Sequence, residues 1–291
     1  MKLLITGANG QLGRAVTALL NEAGSEVILT EAPAAAGKFS MRALDITDID
    51  EVMGAVRDTG ADAIVNCAAY TAVDKQEEDE DLSFKINAIG PRNLAIAAEE
   101  TGAKLIHIST DYVFDGNGVR PYIETDPTGP VSVYGRTKLA GEQFVESFCR
   151  RYFILRTAWL YGDGANFVKT MLRLAESRDS VSVVSDQLGS PTSALELAKA
   201  CVHLSDTDNY GIFHATCEGS CSWADFAERI FKLSGKNVSV ERLTSEQYAA
   251  ANPSSARRPA YSVLDNRMFR LTDGYTFADW EEAIQVYLCD S

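Results

Sequence analysis

The feature that most constrains the fold of this chain is a glycine-rich turn close to its amino terminus. The turn has the spacing GxxGxxG and lies between the apolar run Leu3-Leu4-Ile5 and a segment of helical period over 12–23. Glycines in such a turn let backbone N–H groups approach a pyrophosphate at the start of the helix. A strand before the turn and a helix after it are the context that a dinucleotide site requires. We therefore expect cofactor contacts from Gly7, Asn9, Gly10, Gln11, Leu12 and Gly13.

Short apolar runs alternate with longer segments of helical period along the first half of the chain. Strands that are apolar throughout indicate a parallel sheet covered on both faces. The predicted fold class is therefore α/β, with a Rossmann-type doubly wound sheet that binds ligands beyond the carboxyl ends of its strands. The predicted strands after the first are 26–30, 63–66, 104–109 and 153–156, and the predicted helices are 48–57, 82–100 and 134–149.

The pattern loosens after about residue 160, where segments rich in Ser, Gly, Pro and Arg separate the elements. We interpret residues 1–160 as a dinucleotide-binding domain and residues 161–291 as a smaller substrate-binding lobe. A strand from 181–215 is expected to return to the main sheet, near 181–184 and 210–215.

Residues that follow the later strands are a second group of cofactor candidates. Glu31 follows the strand over 26–30, where a carboxylate can hydrogen-bond the ribose 2′-hydroxyl and would repel a 2′-phosphate. This placement favours NADH, whereas a Glu31 side chain in open solvent would select neither cofactor, so NADPH and NADH both stay open. The other candidates, which would bracket the adenine or let the backbone pack against the cofactor, are Asp45, Ile46, Ala68, Ala69 and Tyr70.

A tyrosine and a lysine at positions i and i+4 form the candidate catalytic pair. Tyr134 and Lys138 lie at the start of a predicted helix and share one face of it. The Lys138 ammonium could then lower the pKa of the Tyr134 phenol from about 10. A phenol tuned in this way serves as a general acid towards a carbonyl oxygen. Thr110, at the end of the preceding strand, supplies a hydroxyl at the same edge of the sheet.

The composition argues against several other kinds of partner. The chain has 291 residues with 41 acidic and 27 basic side chains, a formal net charge of −14, whereas a nucleic-acid binder needs a basic surface. The six cysteines and three histidines lack metal-ligand spacing, so no metal site is predicted, and His107 is expected to be a core residue. The amino terminus lacks a signal-peptide pattern, and no apolar run approaches the roughly 20 residues of a membrane span. We expect a cytoplasmic protein with no membrane partner.

Five longer segments extend these motifs across most of the chain. They are Ser109-Thr110-Asp111-Tyr112-Val113-Phe114-Asp115-Gly116, Tyr134-Gly135-Arg136-Thr137-Lys138-Leu139-Ala140-Gly141-Glu142, Arg156-Thr157-Ala158-Trp159-Leu160-Tyr161-Gly162, Asp186-Gln187-Leu188-Gly189-Ser190-Pro191-Thr192 and Arg258-Pro259-Ala260-Tyr261-Ser262. With these segments the chain resembles the extended short-chain dehydrogenase/reductase superfamily and, more narrowly, its dTDP-4-dehydrorhamnose reductases.

The resemblance implies a reaction and the residues that carry it out. The reaction is the NADPH- or NADH-dependent reduction of the C4 keto group of a dTDP-linked keto-sugar, from dTDP-4-dehydro-L-rhamnose to dTDP-L-rhamnose. Thr110, Tyr134 and Lys138 would form the catalytic triad. Lys138 would also hold the nicotinamide ribose, and Thr110 would donate a hydrogen bond to the substrate oxygen.

The same resemblance implies the substrate contacts. Asp111, Tyr112 and Trp159 would touch the sugar, and Arg258 is a further substrate-binding candidate. For two of these residues a structural role is the alternative, because Trp159 could be ordinary core and Arg258 an ordinary surface charge.

A metal-bridged dimer is the one family property that this chain does not match. Some reductases of the family dimerise through a magnesium ion held by glutamates, one of them in the first helix. Here that helix reads Gly13-Arg14-Ala15-Val16 where an acid would be wanted. Magnesium stays possible although its ligands are not matched, and both a monomer and a homodimer are open.

Other functions on the same fold are the alternatives. A sugar-nucleotide dehydratase needs a further acid and base, for which the family solution is an Asp-Glu pair directly after the threonine, whereas Thr110 is followed by Asp111-Tyr112. An epimerase, which retains its cofactor, is another alternative. A regulatory subunit that binds dinucleotide without turnover is a third, although the intact triad argues against it.

Overall fold

A seven-stranded parallel sheet forms the centre of the fold in the computed structural model, which describes residues 1–36, 38 and 41–289. The strand order reverses beside β1, which lies between β2 on one side and β4 on the other, so the predicted doubly wound Rossmann-type sheet is confirmed. In order across the sheet the strands are β11 (Gly211–His214), β6 (Tyr152–Thr157), β5 (Lys104–Thr110), β4 (Ala63–Asn66), β1 (Lys2–Thr6), β2 (Glu26–Glu31) and β3 (Arg42–Ala43).

Helices cover both faces of this sheet, which explains why its strands are apolar at successive positions. Leu3 and Ile5 pack on one face with the helices α1 and α9 named below, and Leu4 packs on the other with α3, α6 and α7. The helices are α1 (Gln11–Glu22), α2 (Pro33–Ala36), α3 (Ile49–Thr59), α4 (Val73–Gln76), α5 (Glu80–Phe84), α6 (Gly90–Thr101), α7 (Val133–Phe148), α8 (Phe167–Leu174), α9 (Ala194–Ser205), α10 (Trp223–Leu233), α11 (Ser245–Ala251), α12 (Arg267–Thr272) and α13 (Trp280–Cys289).

The long helix predicted over 82–100 is interrupted. It begins with α5, passes through a π-helical turn over Lys85–Ile89 and continues as α6. Within the turn, Asn87 accepts a hydrogen bond from the Tyr70 N–H at 2.9 Å, and its amide nitrogen lies 3.3 Å from the Thr137 hydroxyl of α7. The irregular turn therefore braces the helix that carries Tyr134 and Lys138, in keeping with the frequent use of π-helical turns near functional sites.

The second half of the chain contributes one strand to the main sheet and builds small sheets of its own. Gly211–His214 pairs in parallel with β6, whereas the segment predicted near 181–184 pairs with Ser239–Leu243, so the expectation that it returns to the main sheet is wrong. The division into two domains at residue 160 stays a prediction. The remaining strands are β7 (Leu160–Tyr161), β8 (Ser180–Val184), β9 (Leu188–Gly189), β10 (Thr192–Ser193), β12 (Cys221–Ser222) and β13 (Ser239–Leu243).

The small sheets enclose a separate apolar cluster. Val181 and Val183 of β8 pack with Phe226 and Ile230 of α10 and with Trp280 at the start of α13. Phe226 and Ile230 lie four residues apart on one face of α10, which fits the helical period of that segment. This cluster positions α10 beside the carboxyl edge of the main sheet.

Within the described residues, no helix is both long and apolar enough to cross a membrane.

Candidate active site

A cleft of about 710 Å³ lies at the carboxyl edge of the parallel strands, beside the point where their order reverses. It brings together the glycine turn, the ends of β4 and β5, the first turns of α7 and part of the second half of the chain. Its lining includes most of the predicted site residues, which are Gly10, Gln11, Leu12, Ala68, Ala69, Thr110, Asp111, Tyr112, Tyr134, Lys138, Trp159 and Arg258.

The glycine turn has the geometry that a pyrophosphate site needs. Gly7 adopts a φ of +61°, and a Cβ at this position would lie 2.7 Å from the backbone nitrogen of Ala68. The N-cap residue of α1 is Gly10, which has no side chain that could accept a hydrogen bond from the first N–H groups of the helix. A Cβ at Gly13 would overlap the carbonyl oxygen of Gly7. The turn therefore fits an anionic dinucleotide bound through the backbone.

Glu31 lies at the end of β2 with its carboxylate against this turn. Its two oxygens accept hydrogen bonds from the N–H of Asn9 at 3.1 Å and from the N–H of Ala32 at 3.0 Å. The side chain is thus held beside the turn instead of extending into open solvent. A carboxylate in this position places negative charge where the adenosine ribose of a bound dinucleotide would lie.

Besides Gly7, Asn9, Gly13 and Glu31, which belong to the glycine turn or contact it, three more predicted cofactor residues are not among the described residues that line the cleft. The Asp45 carboxylate accepts hydrogen bonds from the N–H and hydroxyl of Thr47. Ile46 is buried and packs against Gly90, and Tyr70 is bound through its backbone by Asn87. Among the described residues, the side chains that line the cleft do not include Asp45, Ile46 or Tyr70.

Thr110 and Tyr134 form a hydroxyl pair inside the cleft. Thr110 ends β5, and Tyr134 lies in the first turn of α7, which Ser132 caps by accepting a hydrogen bond from the Gly135 N–H at 3.1 Å. Both side chains line the cleft, and the Thr110 hydroxyl is close enough to the Tyr134 phenol to influence its pKa. The Thr110 hydroxyl also donates to the Asp111 carboxylate at 2.9 Å.

Lys138 lies one helical turn after Tyr134 and points into the sheet. Its Nζ donates to the carbonyl oxygen of Ile108 at 2.5 Å and lies 3.5 Å from Nε2 of His107. Burial lowers the pKa of Lys138 to about 8, and the Glu142 carboxylate opposes this shift. The ammonium is therefore held against the edge of β5 in this structure.

The expectation that Lys138 lowers the pKa of Tyr134 is wrong for this arrangement. Withdrawal of the phenol from water raises the pKa of Tyr134 to about 12, with the nearby Thr110 hydroxyl opposing and the Asp111 charge adding to the shift. A phenol with this pKa is fully protonated at neutral pH. It is still a much stronger acid than an alcohol and can protonate an alkoxide.

The cleft also contains one carboxylate with an altered pKa. Asp111 is buried, and burial raises its pKa to about 6, with the hydrogen bond from Thr110 opposing the shift. Its Oδ2 atom has no hydrogen-bond partner among the described residues. Among the described residues that line the cleft, Asp111 is the one acidic side chain.

Arg258 connects the cleft to the end of the chain. Its guanidinium lies 3.1 Å from the Asp74 carboxylate and is close enough to the Tyr112 phenol that the two groups shift each other's pKa. Asp74 in turn accepts a hydrogen bond from the N–H of Ala256 at 3.0 Å. The alternative that Arg258 is an ordinary surface charge does not fit these contacts.

Trp159 has the one positive φ among the described non-glycine residues, at +48°. Its ring stacks on Trp223 with centroids 3.6 Å apart, and it covers Gly189, where a Cβ would lie 2.5 Å from the indole. Both tryptophans are half-buried and line the cleft, so Trp159 is not ordinary core. A strained backbone at a cleft wall is typical of a functional site.

Comparison with known proteins places this arrangement in a family. The family model for the RmlD substrate binding domain matches residues 1–291. A dTDP-4-dehydrorhamnose reductase from Escherichia coli is 39% identical over 98% of this chain and 96% of its own. The chain belongs to the dTDP-4-dehydrorhamnose reductase family.

Solved structures of dTDP-4-dehydrorhamnose reductases have the same fold. The Clostridium acetobutylicum enzyme matches with a TM-score of 0.92 and 48% identity over 99% of both chains. The Bacillus anthracis enzyme, solved in complex with NADP, matches with a TM-score of 0.92 and 42% identity over 100% of this chain and 99% of its own.

In this member of the dTDP-4-dehydrorhamnose reductase family, the basic residue Arg14 lies in the part of α1 where some other members have a magnesium-binding glutamate. Arg14 donates to the Asn9 side chain at 2.7 Å and pairs with Asp163 at 2.5 Å. Across the described parts of the chain, no group of three or more His, Cys, Asp or Glu side chains could hold a metal ion. The residues present in α1 therefore do not fit a magnesium site.

The sequence interpretation missed several residues that shape the reductase-family cleft. Trp223 directly follows Ser222, the N-cap residue of α10, so its ring lies at the start of that helix and borders the cleft. The available sequence signal was an aromatic residue directly after a capping serine. Phe167 has the same position after the cap Asn166 of α8. Asn66, at the end of β4, lines the cleft and contacts His107 at 3.0 Å.

Proposed function

We propose that this chain reduces the C4 keto group of a dTDP-linked 4-keto-6-deoxy sugar with NADPH or NADH, converting dTDP-4-dehydro-L-rhamnose into dTDP-L-rhamnose. The observation that carries the proposal is that Thr110, Tyr134 and Lys138 line one cleft together with the glycine turn. The names of the relatives support the substrate, and the NADP complex of the Bacillus anthracis enzyme supports the cofactor.

In the proposed mechanism the reduced nicotinamide, when bound, supplies the hydride that reduces the carbonyl carbon. Tyr134 transfers its proton to the developing alkoxide, and its pKa of about 12 keeps that proton in place at neutral pH until it is needed. Thr110, whose hydroxyl donates to Asp111 in this structure, turns that proton to the same oxygen when the sugar is bound. Lys138 supplies positive charge beside the cofactor ribose.

Contacts on the far side of the cleft support binding of a sugar nucleotide. Arg258, paired with Asp74 and close to Tyr112, is a cation suited to a diphosphate. The stacked rings of Trp159 and Trp223 offer an aromatic wall to the sugar or the base. Asp111, next to Thr110, can bind a sugar hydroxyl.

The single carboxylate of the cleft favours reduction over elimination. A dehydratase needs an acid and a base in addition to the tyrosine, and Tyr112 stands where the second carboxylate would be. An epimerase needs no added carboxylate, so the experiment must separate it from a reductase. A non-catalytic dinucleotide-binding subunit is separated by the same experiment.

The test is to mix the purified protein with NADPH or NADH and a dTDP-4-keto-6-deoxy sugar, and to follow cofactor absorbance and sugar product together. A reductase oxidises one cofactor for each sugar reduced. Formation of product with unchanged cofactor would indicate an epimerase or dehydratase. Cofactor binding without any product would indicate a regulatory subunit.

The assembly state and the location are proposed separately. We propose a monomer or homodimer in the cytoplasm. Partly exposed Leu82 and Phe84 of α5 and Phe148 of α7 support the homodimer, because they leave apolar area that a second copy could cover. Light scattering distinguishes a mass of 31.6 kDa from twice that value.

A further inference from the structure

A buried chain of hydrogen-bonding groups leads from the centre of the sheet to Lys138. Thr6 of β1 donates to the Oδ1 atom of Asn66 at 2.6 Å, and the amide nitrogen of Asn66 lies 3.0 Å from Nδ1 of His107. Nε2 of His107 then faces Nζ of Lys138 at 3.5 Å. Thr6 and His107 are buried, and Asn66 and Lys138 are almost fully buried where they border the cleft, so each group depends mainly on its protein partners.

The orientation of the Asn66 amide determines which imidazole nitrogen carries the proton. The N–H of Ala68 donates to Oδ1 of Asn66 at 3.2 Å, and a backbone N–H cannot accept. Oδ1 is therefore the atom beside Ala68, and the NH₂ group is the atom beside His107. Nδ1 of His107 must accept from this NH₂ group, so a neutral imidazole carries its proton on Nε2.

The imidazole is neutral for a clear physical reason. Burial lowers the pKa of His107 well below 6.5, and the nearby Lys138 charge adds to the shift. Two donors, the Nε2–H of His107 and the ammonium of Lys138, consequently face each other. Two donors cannot form a hydrogen bond with each other, and the distance of 3.5 Å between Nε2 and Nζ is longer than a good hydrogen bond.

We propose that His107 is a positioning residue for Lys138, because it presents a donor and thereby leaves the Ile108 carbonyl as the one acceptor for the lysine ammonium among the described residues. The remaining protons of the ammonium are then free for the cofactor ribose and the reacting side of the cleft. This inference rests on the proposed function of Lys138, whereas the tautomer of His107 can be measured without any reaction.

Few other groups can set the charge of Lys138. Its titratable neighbours are His107 from β5 and Glu142 from α7, and Glu142 is paired with Arg156 of β6 at 2.7 Å. Glu142 also accepts a hydrogen bond from Ser109. Since Glu142 is committed to these partners, a change at His107 is the most direct way to change the environment of the lysine.

The first experiment reads the tautomer by NMR of the full chain with ¹⁵N-labelled histidine. The chain has three histidines, and the His107 signals are assigned from His107→Gln, or by elimination from His203→Gln and His214→Gln. We expect a neutral imidazole protonated on Nε2 across pH 6 to 9. A proton on Nδ1, or an imidazolium in this range, overturns the proposal.

The second experiment reverses the tautomer with Asn66→Asp. A carboxylate oxygen beside Nδ1 would move the proton to Nδ1 and turn Nε2 into an acceptor for Lys138. We expect the basic limb of the kcat/KM profile to move up by about one pH unit and the KM for the cofactor to rise by roughly threefold or more. An unchanged profile with the tautomer reversed overturns the proposal.

Thr6→Val is the matched control, because it disturbs the same chain of groups while the Ala68 N–H still orients Asn66. Thr6→Val should leave the His107 tautomer and the pH profile as in the wild type. A shifted basic limb in Thr6→Val would mean that the shift in Asn66→Asp comes from disturbed packing and not from the tautomer. An active reductase with the proton on Nδ1 refutes only this inference. The Nε2 tautomer in a protein without reductase activity refutes the proposed function instead.

Discussion

Lys138 is the side chain whose protonation limits the pH range of the proposed reaction. Burial lowers its pKa to about 8, and the ammonium form carries the charge that the mechanism uses. The amine is charged below this pH and neutral above it. We therefore predict that kcat/KM is constant near pH 7 and falls about tenfold per pH unit well above pH 8. A profile that stays flat to pH 10 would show that the charge of Lys138 is not required.

We predict that Glu31 influences the choice between NADH and NADPH. Its carboxylate is held at the glycine turn by the N–H groups of Asn9 and Ala32. Removal of this charge in Glu31→Ala should improve the NADPH-to-NADH ratio of kcat/KM by about tenfold, or roughly 1.4 kcal/mol. Glu26→Ala, at the exposed start of the same strand, is the control and should leave the ratio unchanged. Equal ratios in both variants would exclude Glu31 as a selector.

At the scale of elements, the helix α7 is anchored by a buried ion pair. Glu142 receives two hydrogen bonds from Arg156 of β6, at 2.7 and 3.0 Å, and both side chains are almost fully buried. Glu142→Gln leaves the guanidinium without its counter-charge and should lower the free energy of unfolding by about 3–5 kcal/mol.

Chemical denaturation of wild type and variant measures this loss. Glu146→Gln on the exposed side of the same helix is the control and should change the free energy of unfolding by less than about 0.5 kcal/mol. Similar losses in both variants would mean that the buried pair does not anchor α7.

Most elements of the sheet could be predicted because periodicity reports which faces are buried. The predicted bounds of the strand β5 and the helix α7 agree with the observed bounds within one or two residues. The partner of β8 could not be predicted, because an apolar alternation shows that a strand has a buried face but not which strand covers it. The π-helical turn over 85–89 could not be predicted either. Asn87 in this turn contacts Tyr70 and Thr137, which are distant from it in sequence.

At the scale of the whole molecule, candidate residues could be located from the sequence where a motif is contiguous, but not where folding brings distant residues together. The glycine turn and the Tyr134/Lys138 pair each occupy one short segment. The direction of the Tyr134 pKa could not be read from spacing, because it depends on how far the cleft removes the phenol from water. The Trp159–Trp223 stack joins residues 64 positions apart in sequence, so no local pattern indicates it.

Cofactor binding should stabilise the whole fold, because the cleft joins the glycine turn to both halves of the chain. At a free NADPH concentration about 100 times its Kd, the expected gain is about 2.7 kcal/mol, measured as a rise in Tm. Tyr134→Phe should keep this rise. The absence of a rise with both NADPH and NADH would contradict the dinucleotide site.

The most direct test of the account compares the kcat of Tyr134→Phe with that of the wild type. The substitution keeps the ring and its edge contact with Tyr112 and removes the transferable proton. We predict a kcat lower by roughly 10²–10⁴-fold, with Tm and cofactor affinity near those of the wild type. Tyr152→Phe, at the start of β6, is the control and should retain full activity. A kcat for Tyr134→Phe within a few-fold of the wild type would contradict the proposed general acid.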